Sequence, residues 1–197
     1  MIGREASITR KTSETDITLV LDLDGSRDIN VTTGVPFFDH MLHALARHGR
    51  FGLTVDATGD VEIDPHHTVE DVGIALGQAL RAALGDRIGI ERYGFAYAPL
   101  DEALARVVID VSGRPYLEFT GTFPEPVIGQ DFAASLVEEF WRALVVNAGL
   151  TVHIDLLRAR NSHHAAEAIF KAGAIALRGA IRQTGDSDVP STKGVLA

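Results

Sequence analysis

Apolar and polar residues alternate along 4–11 and 16–23 with a period of two, the pattern of extended chain with one face turned to a core. The turn Asp24-Gly25-Ser26 follows, and 28–33 reads as a third strand. At Pro36 the period lengthens to that of a helix. Proline suits a first helical turn, so a helix is predicted over 36–48. A strand over 51–57 follows. Asp64-Pro65 then reads as a cap-and-start pair for a helix over 65–84, ended by Gly85. The same order recurs, with strands near 93–98, 103–111 and 115–120, a helix over 131–148, a strand over 150–157 and a helix over 162–182. Strands interleaved with amphipathic helices predict an α+β sandwich, with helices covering the sheets. The last helix, with AIFKAGAIALRGAI, is apolar nearly all round, which predicts burial between halves or between subunits.

The recurrence extends to the letters. Gly52-Leu53-Thr54-Val55 returns as Gly149-Leu150-Thr151-Val152, His66-His67 as His163-His164, Glu70 as Glu167, and Ala79-Leu80-Arg81 as Ala176-Leu177-Arg178, all at an offset of 97 residues. The chain therefore divides into duplicated halves, 1–92 and 93–182, each a mixed sheet covered by helices, and a tail over 183–197.

Composition narrows the chemistry. The chain has 197 residues, enough for one core, and it holds no cysteine, so disulfides and thiolate metal sites are excluded. Any metal site must use His, Asp or Glu, which favours Mn, Fe, Zn or Ni. The net charge of -9, from 27 acidic and 18 basic residues, disfavours nucleic acid and anionic membranes as partners. The charged start, MIGREASITRKT, has no apolar signal region, and no apolar run approaches the ~20 residues that span a bilayer. A soluble cytoplasmic protein is expected.

The repeated His-His-x-x-Glu is the strongest chemical signal. Successive helical residues lie ~100° apart and i and i+4 share a face. His66 then faces with Glu70, and His163 with Glu167, while His67 and His164 diverge to the side. Four imidazoles and two carboxylates offer three ligands to each of two ions, as suits a Mn- or Fe-like octahedral ion with open positions. In FFDHMLHALARHG, His40, His43 and Arg47 form a polar stripe opposite Met41 and Leu45. His153 lies in a strand and reads as a hydrogen-bonded core histidine, and Asp101 in PLDEA as a turn residue or an orienting group. On the residues alone two classes of function fit: a two-metal lyase or hydrolase acting on a small phosphorylated compound, and an assembly protein whose metal sites cross-link subunits. Open coordination positions beside an Arg/Lys cluster would separate the first from the second.

The stretches RKTSETDI, TGVPFFDHMLHALARHGRFGLTV, GDVEIDPHHTVEDVGIALGQAL, PLDEALARVVIDVSGRPY, VEEFWRAL, NSHHAAEAIFKA and VPSTKGVL cover nearly the whole chain. Together they resemble the imidazoleglycerol-phosphate dehydratase family of histidine biosynthesis. The resemblance implies a duplicated fold like the second domain of ribosomal protein S5, and a monofunctional hydro-lyase. It implies a homo-oligomer of 24 subunits with active sites between subunits. It implies two Mn ions per site, and dehydration of imidazole glycerol phosphate to imidazole acetol phosphate through an imidazolate held between the ions. The metal ligands resemble His40, His66, His67, Glu70, His163, His164 and Glu167. Glu139 stands where some members carry a ligating His, and a carboxylate also binds Mn. Glu14, in TSETD, matches the substrate-contacting acid and is assigned acid–base work. Arg92, Arg114, Lys171, Ser191, Thr192 and Lys193 match phosphate-binding positions, with the tail ordering around the phosphate, and His48 and Arg47 match the stretch beside the substrate.

Overall fold

The computed structural model describes residues 3–194 and 196. Met1 and Ile2 of the first half, and Val195 and Ala197 of the predicted phosphate-binding tail, lie outside the described residues. The first half contains β1 (Glu5–Lys11), β2 (Thr15–Asp22), β3 (Ile29–Thr32), α1 (Pro36–Gly49), β4 (Gly52–Gly59) and α2 (His66–Leu84). The second contains β5 (Tyr93–Leu100), β6 (Ala103–Asp110), β7 (Tyr116–Thr120), β8 (Val127–Ile128), β9 (Phe132–Ala133), α3 (Ser135–Ala148), β10 (Thr151–Arg158) and α4 (Ser162–Ala180).

The duplication in sequence is a duplication in topology. One sheet runs β1-β2-β4-β3 and the other β5-β6-β10-β7. In each, the third strand pairs parallel to the strand that follows its crossover helix, and the remaining pairs are antiparallel. Both are mixed sheets. Their inner faces carry Ile17, Leu19, Leu21 and Val55 on one side and Ala105, Val107, Ile109 and Ile154 on the other, all buried in one continuous core with the helices. The helices do not pair within their own halves. α2 packs along α3 and against β1 and β2, and α4 packs along α1 and against β5 and β6. α4 is therefore buried between the halves of one chain. Gly94 of β5 allows its close approach, since a Cβ there would lie 1.9 Å from the Ala176 carbonyl oxygen.

Local chemistry explains the helix ends. Pro36 opens α1, and the Asp39 carboxylate accepts from the Thr33 N–H at 2.9 Å and its hydroxyl at 2.6 Å, which sets the entry of the chain. α2 begins at His66, one residue later than the predicted start, with the Asp64 carboxylate accepting from the His66 N–H at 2.7 Å. In α4 the Asn161 side chain accepts from the His164 N–H at 3.0 Å.

Two expectations are corrected. The helix predicted over 131–148 begins at Ser135, because Phe132 and Ala133 pair with Val127 and Ile128 in a small hairpin. The buried Phe132 ring packs on Phe37, 4.9 Å away, and a helix would draw it off that partner. His153 is not a core histidine. Strand alternation turns Val152 and Ile154 inward and leaves His153 exposed on the outer sheet face, 5.9 Å from the Tyr116 ring.

Candidate metal and substrate site

The stripe on α1 is where the sequence placed it. His40, His43 and Arg47 are exposed, while Met41 and Leu45 are fully buried beneath them. Because α1 packs along α4, the first turns of the two helices meet. His40 Nε2 lies 3.4 Å from Glu167 Oε2, and His163 Nε2 lies 3.3 Å from the same oxygen. His40, His163 and Glu167 thus present one nitrogen or oxygen each within 4.8 Å of one another, with two ligands from the second half and one from the first. Lys171, one turn along α4, reaches Glu167 Oε1 at 2.7 Å. Burial pushes the Glu167 carboxyl up, but the bonds from Lys171 and His40 outweigh it, and its pKa lies below the ordinary value. The carboxylate is held ionised beside two imidazoles.

The matching turns of α2 and α3 do this less completely. His66 Nε2 lies 3.7 Å from Glu70 Oε2, as expected for i and i+4. Glu139 is not drawn to them; its carboxylate lies 3.9 Å from Arg142. Its position is nonetheless informative. α1 and α3 both end in a left-handed residue, Arg50 at φ 61° and Gly149 at φ 68°. Aligned on those ends, the buried Met41, Leu42 and Leu45 match Phe140, Trp141 and Leu144, and His40 matches Glu139. Glu139 holds the place in α3 that His40 holds in α1.

The second histidine of each pair has its own partner. His164 Nδ1 lies 2.9 Å from Glu102 Oε2, and His67 Nδ1 lies 3.1 Å from both oxygens of Asp60. The hydrogen bond from His164 holds the Glu102 carboxyl down at about 2, so it accepts only, and Nδ1 is the protonated nitrogen. The free lone pair of the neutral ring is then on Nε2. Asp60 and Glu102 raise the pKa of His67 and His164 respectively, chiefly through these bonds. A carboxylate behind one ring nitrogen is the arrangement that orients a metal-binding imidazole and strengthens it as a donor. Asp101 lies within 4.8 Å of this pair, at φ 46° in the two-residue turn between β5 and β6.

Glu14 sits in the equivalent β1–β2 turn, exposed, with Oε2 3.9 Å from His67 Nδ1. The turn is held from below: the buried Asp71 accepts from Thr15 Oγ1 at 2.5 Å and from Arg10 at 2.7 Å. Asp71 is the last letter of HHTVED, and its role is to anchor the strand ends that carry Glu14.

Of the phosphate candidates, Lys171 stands at this cluster, on Glu167, while Arg92 and the tail lie elsewhere. The Arg92 guanidinium donates to Asp110 at 2.7 Å and to the Pro190 carbonyl at 2.8 Å, which draws the tail, with Ser191 next in chain, to the C-terminal end of α4. The Lys193 N–H donates to Ser191 Oγ at 3.2 Å. Arg114, Thr192 and Lys193 are exposed. His48 is half-buried, and its pKa is lowered by burial and then by the charge of Lys171. His40, His163, His164 and Glu167 cluster at the N-terminal end of α4. Its 19 residues are about 28 Å long, so one chain does not bring its own Arg92 and Ser191 to its own His163 and Glu167.

Sequence reasoning missed Asp60, Glu102 and Asp71. Glu102 had a faint signal as the neighbour of Asp101 in PLDEA. Asp60 had none.

A family model described as imidazoleglycerol-phosphate dehydratase matches residues 33–177. Among curated relatives of that name, the chain is 54% identical to the protein from Nitrosomonas europaea, over 100% of each chain. It is 53% identical to that from Acidithiobacillus ferrooxidans, over 100% of this chain and 99% of the relative. Among solved structures, that of imidazoleglycerol-phosphate dehydratase from Staphylococcus aureus superposes with a TM-score of 0.83 at 43% identity, covering 91% of this chain and 99% of the other. The protein from Pyrococcus furiosus, in complex with (S)-C348, superposes with a TM-score of 0.84 at 38% identity, covering 96% and 100%.

Proposed function

The chain belongs to the imidazoleglycerol-phosphate dehydratase family, and from that premise we propose that it dehydrates imidazole glycerol phosphate to imidazole acetol phosphate in histidine biosynthesis, using two Mn ions per site. The observation that carries the metal part of this reading is the meeting of His40, His163 and Glu167, with the carboxylate-backed His164 on the same helix turn.

The residues fit such ions. All the donors are imidazole nitrogen or carboxylate oxygen, as suits Mn(II). His40, His163 and Glu167 make one partial set, and His66, Glu70 and Glu139 are its counterpart by duplication. His67 and His164 add Nε2 donors whose tautomer Asp60 and Glu102 fix. Each partial set leaves positions open for a ligand, which favours catalysis over a saturated cross-link. Bound there, the ions would supply stabilisation of negative charge on the substrate's imidazole ring.

The chain's own residues do the rest. Dehydration needs a proton delivered to the departing hydroxyl and a proton taken from the adjoining carbon. Glu14, on a turn held rigid by Asp71 and Thr15, is the group assigned proton transfer. Arg114 offers a planar, bidentate donor to the phosphate, Arg92, held by Asp110 and the Pro190 carbonyl, adds its charge and remaining N–H groups, and Lys171, Lys193, Ser191 and Thr192 add point charge and hydroxyl donors. His48 lies beside the substrate. The length of α4 between Arg92 with the tail and the His163–Glu167 cluster favours sites shared between copies, in keeping with a cytoplasmic homo-oligomer of 24 subunits. The halves 1–92 and 93–182 then form the metal framework, and the tail 183–197 contributes to the phosphate site.

The test is metal analysis combined with a dehydratase assay before and after chelation. Activity lost with the metal and restored by Mn(II) is expected. Full activity in metal-free protein would remove the metal reading, and no activity in Mn-loaded protein would remove the substrate assignment.

A further inference from the structure

The two halves share a fold and differ in what lies under their first hairpins. Register matches them residue by residue. Thr15 pairs with Gly59, and Ala105 pairs with Leu156, the duplicate of Gly59. Two residues on, Ile17 matches Val107, so their partners Arg10 and Ala96 also match. Thr12, whose N–H donates to the Thr15 carbonyl at 2.9 Å, matches Ala98, the partner of Ala105. On the helices Thr68 and Asp71 match Ala165 and Ala168. The first half therefore carries Arg10, Thr12, Thr15, Thr68 and Asp71 where the second carries only alanine, and those alanines are all buried. The second half demonstrates that this architecture closes without the polar groups.

The polar groups of the first half form a directed chain. Asp71, paired with Arg10 at 2.7 Å, accepts at both carboxylate oxygens. The Thr15 hydroxyl must then donate to it, at 2.5 Å. That leaves Thr15 Oγ1 to accept from the Thr12 hydroxyl at 3.1 Å. Thr12 Oγ1 in turn accepts from the Glu14 N–H at 3.1 Å and from the Thr15 N–H at 2.9 Å. A buried carboxylate thus fixes the direction of each bond up to the backbone of Glu14, and bonds in such a chain strengthen one another. The arrangement is costly. Asp71 and Thr15 are 7% and 4% exposed, and Arg10 Nε and Thr68 Oγ1 are buried with no hydrogen-bond partner among the described residues. Buried ion pairs and orphaned polar atoms are less stable than apolar packing of the same volume. A Cβ on Gly59 would lie 2.2 Å from Thr68 Oγ1, so the first half also forgoes the buried leucine that stands at the duplicate position.

We propose that Arg10, Thr12, Thr15 and Asp71 are positioning residues for Glu14, kept in one half only, against stability, because that half carries the proton-transfer group. The proposal rests on the dehydratase reading and on Glu14 as its acid–base residue. Glu14 is exposed, so its carboxylate is aimed by the backbone that carries it. A displacement of about 1 Å in such a group costs on the order of a hundredfold in rate. The tip of the second hairpin has a different task, since Glu102 backs His164 directly, and the strands beneath it pack on alanine.

The test installs the core of the second half in the first: Arg10→Ala, Thr15→Ala, Gly59→Leu, Thr68→Ala and Asp71→Ala together, with Thr12 and Glu14 untouched. At saturating Mn(II) this transplant is expected to melt at or above the wild-type temperature and to lose about 10–100-fold in kcat, with KM changed only a few-fold. The deciding readout is the cycle with Glu14→Gln. Residues that act through Glu14 have nothing left to position in that background, so the transplant should lower its residual kcat by less than about twofold. The same loss on both backgrounds would mean general damage and would overturn the proposal, as would a folded transplant with wild-type kcat. If the transplant does not fold, Thr15→Val decides. It keeps the shape, breaks the chain between Asp71 and Thr12, and should lower kcat several-fold alone and not at all beside Glu14→Gln; equal losses in both would sink the idea. Glu14→Gln with wild-type kcat would remove the acid–base assignment, and the proposal with it, while the dehydratase reading stood. A wild type without dehydratase activity would remove that reading itself.

Discussion

Removing the Glu102 carboxylate should weaken metal binding without unfolding the protein. The perturbation is Glu102→Ala. Glu102 accepts from His164 Nδ1 at 2.9 Å and from the Arg160 N–H at 3.2 Å, and both donors lie at the edge of the fold where water can replace the lost acceptor. What changes is the imidazole. Without an ionised acceptor, Nδ1 is no longer fixed as the protonated nitrogen, the ring can rotate, and the donor strength of Nε2 falls. Loss of such an outer carboxylate typically costs about 10–100-fold in metal affinity. Here the lower end is expected, about tenfold, because the Asp101 carboxylate lies within 4.8 Å and can reach the ring through one water. Adding Asp101→Asn should carry the loss towards a hundredfold. Glu102→Gln keeps an acceptor oxygen and should lose only a few-fold. Calorimetric titration of chelated protein with Mn(II) measures all three, alongside thermal melts. If Glu102→Ala binds Mn(II) as tightly as wild type at unchanged melting temperature, the carboxylate does not position His164 and the reasoning is wrong.

Two further outcomes follow from the packing and the charges. Gly173 of α4 faces Trp141, with a Cβ there 2.2 Å from the indole edge, so Gly173→Ala must push the buried ring aside; a loss of about 1–3 kcal/mol in denaturant unfolding is expected, and none would mean that the helices have slack. The Arg4 hydrogen bond holds Asp24 below its usual pKa, so its contribution to stability is present above the unfolded value of 3.8 and is lost as pH falls through the lower folded value; Asp24→Asn should lower stability slightly at neutral pH and converge on the wild type at the acid end, which flattens the acid limb, as melts from pH 6 down to pH 3 would reveal.

Much of the fold could be read before any coordinates, because period and repetition are local properties. The helix starting at Pro36, the existence of the one that follows Asp64-Pro65, the strands between them, and the equivalence of the two His-His-x-x-Glu segments all follow from spacing along the chain. What stayed hidden was tertiary. Glu102 is far in sequence from His164 and meets it only because the β5–β6 turn lies over the start of α4. The β8–β9 pair is two residues a side, too short for a periodic signal, and is held by the contact of Phe132 with Phe37. The outward aromatics of β5 reverse the usual rule for a strand. Its alternate residues, Gly94, Ala96 and Ala98, are small because α4 lies so close, and so the large side chains are left to the outer face. His153 was misread for a related reason: alternation tells that a strand has two faces and does not tell which one is inside.

The crossed packing of the helices has a consequence for how the chain can come into being. α2 finds its closest helical partner in α3 and α4 finds its own in α1, so neither half can shield its helices alone. Folding of the halves one after the other is thereby discouraged, and the chain should unfold as a single cooperative unit despite its internal repeat. Cut in the loop before β5, the two fragments should be sticky and poorly structured apart and should regain native structure when mixed, as a tethered dimer does when its tether is severed. His40 and the His163–Glu167 pair would then be brought together by fragment complementation, and metal affinity would report when the two pieces had found each other.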